Sequence, residues 1–322
     1  MGAPVQPRDL GPGCHESIGL ATAALPLALP PLGGEREAKA APLLLQLRRL
    51  TGHLVVALVG LVVLGGATRV MQAGLACPDW PLCYGVLLPG RQMNLQVFLE
   101  WFHRLDAFVV GVALLVLAAL SLWRRRELPA GSAPLATVAL SLVALQGLLG
   151  ALTVTRLLAA PVVTLHLGTA LLLLGLVSAL HQRLALAADP SMAMSPPWLP
   201  PFTAAVALLV FSQCLLGGAM ASRWAADLCL SAGEGCRWLL WHRHGGQVTG
   251  AAVLLLAACQ PQRRWGLAAA AAVLLQVSLG IGTLRLQLQW PLVTVAHQLV
   301  AALMVAVLAA LLVRCQPRGC HG

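Results

Sequence analysis

Eight apolar runs of about twenty residues punctuate this chain, near 51–68, 101–123, 134–153, 162–180, 201–221, 240–259, 265–284 and 293–313. A helix needs roughly 20 mostly apolar residues to cross the hydrocarbon core of a bilayer. Each run is too long and continuous for a buried strand, and none alternates polar with apolar as a membrane-barrel strand does. Composition leaves no other solvent. Hydrophobic residues make up 59% of the 322 and charged residues 10%, whereas a soluble domain carries about 25% charged. The expected fold is all-α and integral to the membrane, with eight transmembrane helices.

A formal net charge of +10 would suggest nucleic acid in a soluble protein. Here the basic residues follow the spans instead. Arg48–Arg49, Arg124–Arg126, Arg183, Arg263–Arg264, Arg314 and Arg318 fall before the first span, in alternate loops and after the last. The positive-inside rule then places both termini and those loops in the cytoplasm. Segments 69–100, 154–161, 222–239 and 285–292 face outside. The expected setting is the cell (inner or plasma) membrane, with lipid and not nucleic acid as the surrounding partner. Residues 1–47 read as a flexible cytoplasmic tail, because Pro26, Pro30, Pro31 and Gly33–Gly34 break its apolar stretch. A cleaved signal peptide would need a charged start and a clear cleavage site. Segment 186–199 reads as a cytoplasmic linker and 315–322 as a short tail.

Two cysteine pairs fall on the outer side by this topology: Cys77 with Cys83, and Cys229 with Cys236. Disulfides persist outside the cytosol, so Cys77–Cys83 and Cys229–Cys236 bridges are expected. Either they staple loops that bury no core of their own, or they exchange electrons with a thiol carrier. Cys214 and Cys259 read as apolar helix residues, and Cys14, Cys315 and Cys320 lie in the tails.

The chain repeats itself. Leu64-Gly65-Gly66-Ala67 returns as Leu216-Gly217-Gly218-Ala219, and His103-Arg104 returns as His242-Arg243. Gly150, Thr153 and Pro161 match Gly280, Thr283 and Pro291 at a constant offset of 130. Two pseudo-symmetric four-helix halves are expected, 48–185 and 200–314, related as a parallel repeat. Paired glycines suit close packing of membrane helices.

Each half carries two histidines near the outer start of an even-numbered span: His103 and His166, then His242 and His297. One such histidine is unremarkable at an interface, but four at matching depth point to function. Imidazole suits iron, copper and zinc. Zinc sites want more ligands, whereas two histidines from facing helices suit the axial positions of a haem. Haem iron is therefore the expected metal at all four. His53 and His181 lie at the cytoplasmic depth and read as solvated. His244 points about 200° away from His242 on a helix, and its role stays open, while His15 and His321 are in tails.

Glu100 precedes His103 by three residues and shares its helix face, while the matching residue of the second half is Leu239. A carboxylate beside one haem site can move protons or steady positive charge, which locates the chemistry in the N-terminal half. The simpler reading is an interfacial glutamate paired with Arg104 or Arg69. Glu100-Trp101-Phe102-His103-Arg104 resembles the Glu-x-x-His-Arg motif of the haem A synthase family. Gly66-Ala67-Thr68-Arg69, the Cys77–Cys83 loop with Trp80-Pro81, Leu149–Thr153, and Gly280–Thr283 followed by His297-Gln298 resemble that family too. The likeness runs from about 51 to 313, and the cysteine-paired loops are similar to the bacterial members.

The resemblance implies an oxidoreductase of cytochrome oxidase assembly that oxidises the C8 methyl of haem O to a formyl by successive hydroxylations. His103 and His166 would flank the substrate haem, His242 and His297 would ligate haem b, and Glu100 would assist. A haem O synthase and an electron acceptor are the implied partners. Arg69, Arg156, Arg223 and Arg285 each close an odd-numbered span on the outer side. They are expected to supply contacts to haem propionates, against simple interfacial anchoring. Asp106 departs from the family motif, as a second proton group or a partner of Arg104. The alternative function is a quinone-linked di-haem electron-transfer cytochrome, which needs the histidines but no acid beside only one pair. A thiol oxidase built on the cysteine pairs is a third reading.

Overall fold

A computed structural model describes residues 34–188, 195–220, 236–286 and 289–315. The long elements are helices: α1 Gly34–Val70, α2 Leu95–Trp123, α3 Ser132–Thr155, α4 Ala160–Ala188, α5 Leu199–Met220, α6 Arg237–Ala258, α7 Arg263–Arg285 and α8 Pro291–Arg314. Among the described residues seven of these are long and apolar enough to cross a membrane. The eighth, α6, carries His242, Arg243, His244 and Gln247 in its first half. The protein is thus an all-α, multi-pass membrane protein.

Helix boundaries differ from the sequence expectation at two places that matter. The tail expected over 1–47 ends earlier, because α1 is already helical from Gly34. Leu43, Leu47, Leu54 and Leu58 follow a helical spacing and are all buried, so this leucine face holds the helix from just after Pro42 into the span. The second helix starts at Leu95, six residues before the expected 101. Asn94 caps it, its Oδ1 accepting from the Val97 N–H at 2.9 Å, which satisfies one of the orphan donors of a helix start. His103 therefore lies over two turns inside α2. Helix α4 continues to Ala188, so the expected linker 186–199 begins within it, and 189–194 lie outside the described residues.

Within the first half α1 packs on α2 and α4, and α3 packs on the same two. Within the second, α5 and α7 each pack on α6 and α8. The halves meet where α8 lies against α4 and α1 and where α5 lies against α4. One aliphatic cluster joins Leu54, Leu58, Leu114, Leu117, Leu174 and Val177. Another joins Val206, Val210, Val253, Val273, Met304 and Leu308.

The α1–α2 loop is tied down. Cys77 and Cys83 form the expected disulfide. Tyr84 and Gly85 both have positive φ, 55° and 73°, and Cys83 and Val86 exchange backbone hydrogen bonds across them, the arrangement of a primed two-residue turn. The Asp79 carboxylate accepts from the Tyr84 and Gly85 N–H groups, each at 2.7 Å. Chiefly the Gly85 bond holds the Asp79 carboxyl below the usual carboxylate range. Cys236 is also disulfide-bonded. Cys229, its expected partner, lies outside the described residues, as do Cys14 and Cys320.

Candidate functional site

Each of the four histidines lies on an even-numbered helix and turns its imidazole onto a glycine of the odd-numbered helix before it. A Cβ on Gly65 would stand 3.0 Å from Cε1 of His103, and one on Gly217 3.0 Å from that of His242. For Gly150 and His166 the distance is 3.7 Å, and for Gly280 and His297 it is 3.1 Å. At Gly65, Gly217 and Gly280 the missing side chain lets the ring approach closer than an ordinary methyl contact, while at Gly150 the contact is an ordinary one. His103 and His166 are within electrostatic range of each other, and so are His242 and His297. The helix packing therefore brings the expected pairs together. All four are half-buried.

The sites also touch across the seam between the halves. Gln298, next to His297, sets its Oε1 1.6 Å from where a Cβ of Gly66 would be. Leu167, next to His166, comes within 2.4 Å of the corresponding position on Gly218. Each half inserts the residue after its second histidine against the second glycine of the other half's pair.

Glu100 is buried at the head of α2. Its Oε1 takes a hydrogen bond from Arg104 at 2.6 Å, and its Oε2 takes one from the Cys77 N–H at 2.8 Å. Arg104 donates as well to the carbonyls of Asp79, at 2.7 Å, and Leu82. Acid, base and disulfide loop form one clamp. This is the Arg104 pairing the sequence left open, and it occupies Arg104 without Asp106, which forms no ion pair among the described residues.

These residues fit a haem. The imidazole Nδ1 atoms of His166 and His242 are buried without a hydrogen-bond partner, and polar groups so placed call for an explanation. Among the described residues no three His, Cys, Asp or Glu side chains converge on one point. Two imidazoles per site suffice only for a metal that arrives with most of its ligands, as iron does in a porphyrin.

A scan against protein-family models matches residues 48–309 to the cytochrome oxidase assembly protein family, COX15-CtaA. The chain belongs to that family. A haem A synthase of Sphingopyxis alaskensis is 32% identical over 81% of this chain and 88% of that protein. One from Shewanella oneidensis is 30% identical over 52% of this chain and 54% of that protein. A shorter stretch, 23% of this chain, is 40% identical to 16% of a protoheme IX farnesyltransferase of Haloarcula marismortui.

Within this COX15-CtaA chain, residues beside the histidines were missed at the sequence level. Gln146 of α3 donates to the His166 carbonyl at 3.0 Å, and Gln276 of α7 approaches the His297 ring. They share the offset of 130 that links Gly150 with Gly280, so extending the repeat by one turn would have found them. Of the arginines expected at propionates, Arg156 and Arg285 are exposed, Arg69 is half-buried, and Arg223 lies outside the described residues. His53 is exposed as expected. His181 is not simply solvated: it is half-buried, its Nδ1 3.1 Å from both Thr51 Oγ1 and the Arg48 carbonyl. His244 is exposed and turned away from His242.

Proposed function

We propose that this protein is a haem A synthase, oxidising the C8 methyl of haem O to a formyl by successive hydroxylations to supply haem A to cytochrome oxidase. Family membership supports an oxidoreductase acting on haem. The observation that carries the finer reading is a repeated cradle with an unrepeated acid. Four imidazoles sit on four glycines, yet the position that matches Glu100 in the second half is Leu239. On this reading the halves 48–185 and 200–314 are pseudo-symmetric bundles with both termini cytoplasmic and the sites near the outer face.

In the N-terminal half His103 and His166 would hold and orient the substrate haem O. In the C-terminal half His242 and His297 would hold haem b, whose iron supplies one-electron chemistry when bound. Glu100, hydrogen-bonded by Arg104 and the Cys77 N–H, lies one turn from His103. There it steadies positive charge building on the carbon being oxidised, or takes its proton. Arginines at the ends of the odd-numbered helices, Arg69, Arg156, Arg223 and Arg285, would pair with propionates. A haem O synthase would supply the substrate, and an electron acceptor completes the partners.

The test is extraction and mass analysis of haems from the purified protein, expressed in cells that make haem O, beside Glu100→Ala. Haem A or hydroxylated haem O in the wild type, with haem O accumulating in the variant, is the expected result. Haem b alone in both would point to an electron-transfer cytochrome.

A further inference from the structure

Helix α2 runs 29 residues from Leu95 to Trp123, about 43 Å at 1.5 Å per residue, against a hydrocarbon core of about 30 Å. Glu100 and His103 stand near one end of it, so Trp123 and the loop that follows reach the opposite membrane surface. Trp123 is 78% exposed, as tryptophan is where a helix passes from hydrocarbon to headgroups. The loop 124–131 then holds Arg124, Arg125 and Arg126 against a single acid, Glu127.

This loop is shaped as well as charged. Nε and Nη2 of Arg124 donate to the two carboxylate oxygens of Glu127, each at 2.6 Å. That two-point pairing closes a single 3-10 turn over Arg125–Glu127. The Arg124 guanidinium also stands 5.9 Å from the centre of the Trp123 ring, within cation–π reach. Arg125 and Arg126 are left exposed, and among the described residues neither forms an ion pair. An open recess of about 420 Å³ is lined by Leu122, Trp123, Arg124, Arg125, Arg126 and Glu127. From α4, Arg183 reaches the same loop and donates to the Ala130 carbonyl. Arg183 is 5% exposed, its Nε has no partner, and it forms no ion pair among the described residues. A buried charge without a counter-ion is costly, so a second, independent cation favours an anion at this loop.

We propose that the recess binds an anionic phospholipid of the leaflet opposite the histidines. Arg125 and Arg126 take the phosphate, while Leu122 and Trp123 take the glycerol and the upper acyl chain. The lining decides for lipid over a free ion, because its apolar side, Leu122 at 48% and Trp123 at 78% exposed, offers a soluble phosphate nothing. Basic pockets at helix ends recognise such headgroups. Glu127 is a positioning residue: it holds Arg124 aside and sets the turn from which the other two arginines project. The site shares no residue with the histidine cradles, so it stands or falls apart from the haem chemistry.

The experiment titrates full-length protein with phosphatidylglycerol, with phosphatidylcholine of the same acyl chains, and with inorganic phosphate, and reads bound lipid by native mass spectrometry. The wild type should take phosphatidylglycerol in preference to phosphatidylcholine. Arg125→Gln with Arg126→Gln should weaken that binding on the order of 25-fold, about fivefold for each arginine near the surface. Arg125→Lys with Arg126→Lys keeps the charge and should keep most of the binding. Arg263→Gln with Arg264→Gln removes the same charge from an exposed pair at the start of α7 and should leave the tight phosphatidylglycerol bound. Equal loss from the two glutamine pairs would show attraction to a basic surface without a built site and would overturn the proposal. Equal binding of the two lipids would overturn it as well, and so would displacement of phosphatidylglycerol by inorganic phosphate, which would make the recess a free-ion site.

Discussion

The strongest constraint on single residues is the contact of each imidazole with a glycine. Overpacking a tight contact costs about 1–3 kcal/mol. Gly65→Ala and Gly217→Ala, whose new methyls would stand 3.0 Å from the ring carbons, should each reduce haem retained in their own half. Gly150→Ala, at 3.7 Å, is an ordinary contact and should retain haem as the wild type does. Haem extracted per mole of purified variant checks the order, and equal losses from Gly65→Ala and Gly150→Ala would contradict it. The histidines and Glu100 were legible in the sequence because they repeat, or conspicuously fail to. What the glycines do was not, because helix packing and imidazole contact both ask for a small residue. Glu100 shows the same limit. Its four-residue spacing from Arg104 suggests the ion pair, but the bond from the Cys77 N–H joins residues 23 apart.

At the scale of elements, the α1–α2 loop depends on charge. The Asp79 carboxyl has a lowered pKa, through its bond from the Gly85 N–H first. Its contribution to loop stability is therefore complete above the usual carboxylate range and is lost as pH falls through the lowered value. Hydrogen exchange at the Tyr84 and Gly85 amides should be protected at neutral pH and lose that protection on strong acidification. Asp79→Ala should lose it at neutral pH, and protection unaltered in that variant would contradict the assignment. Spans were legible as elements because about twenty apolar residues admit one solution in lipid. Their starts were not: Asn94 is a good cap only once Leu95 is known to be helical, and α1 begins at Gly34, well before the apolar run that marks the first span.

At the scale of the molecule, the repeat says nothing of how the helices of 48–185 and 200–314 join. The seam is built from Gln298 on Gly66 and Leu167 on Gly218, contacts between residues that no spacing rule connects. Each links the second histidine of one half to the glycine pair behind the first histidine of the other, so the two sites are mechanically continuous. The division of labour between them is open to one direct measurement: the haems retained by His103→Ala with His166→Ala, and by His242→Ala with His297→Ala, from cells that make haem O. The first pair of substitutions should leave haem b bound and remove haem O and its products. The second should remove haem b while haem O still binds, unconverted. Haem b lost from the first variant and kept in the second would contradict the assignment of substrate and resident haem to the two halves.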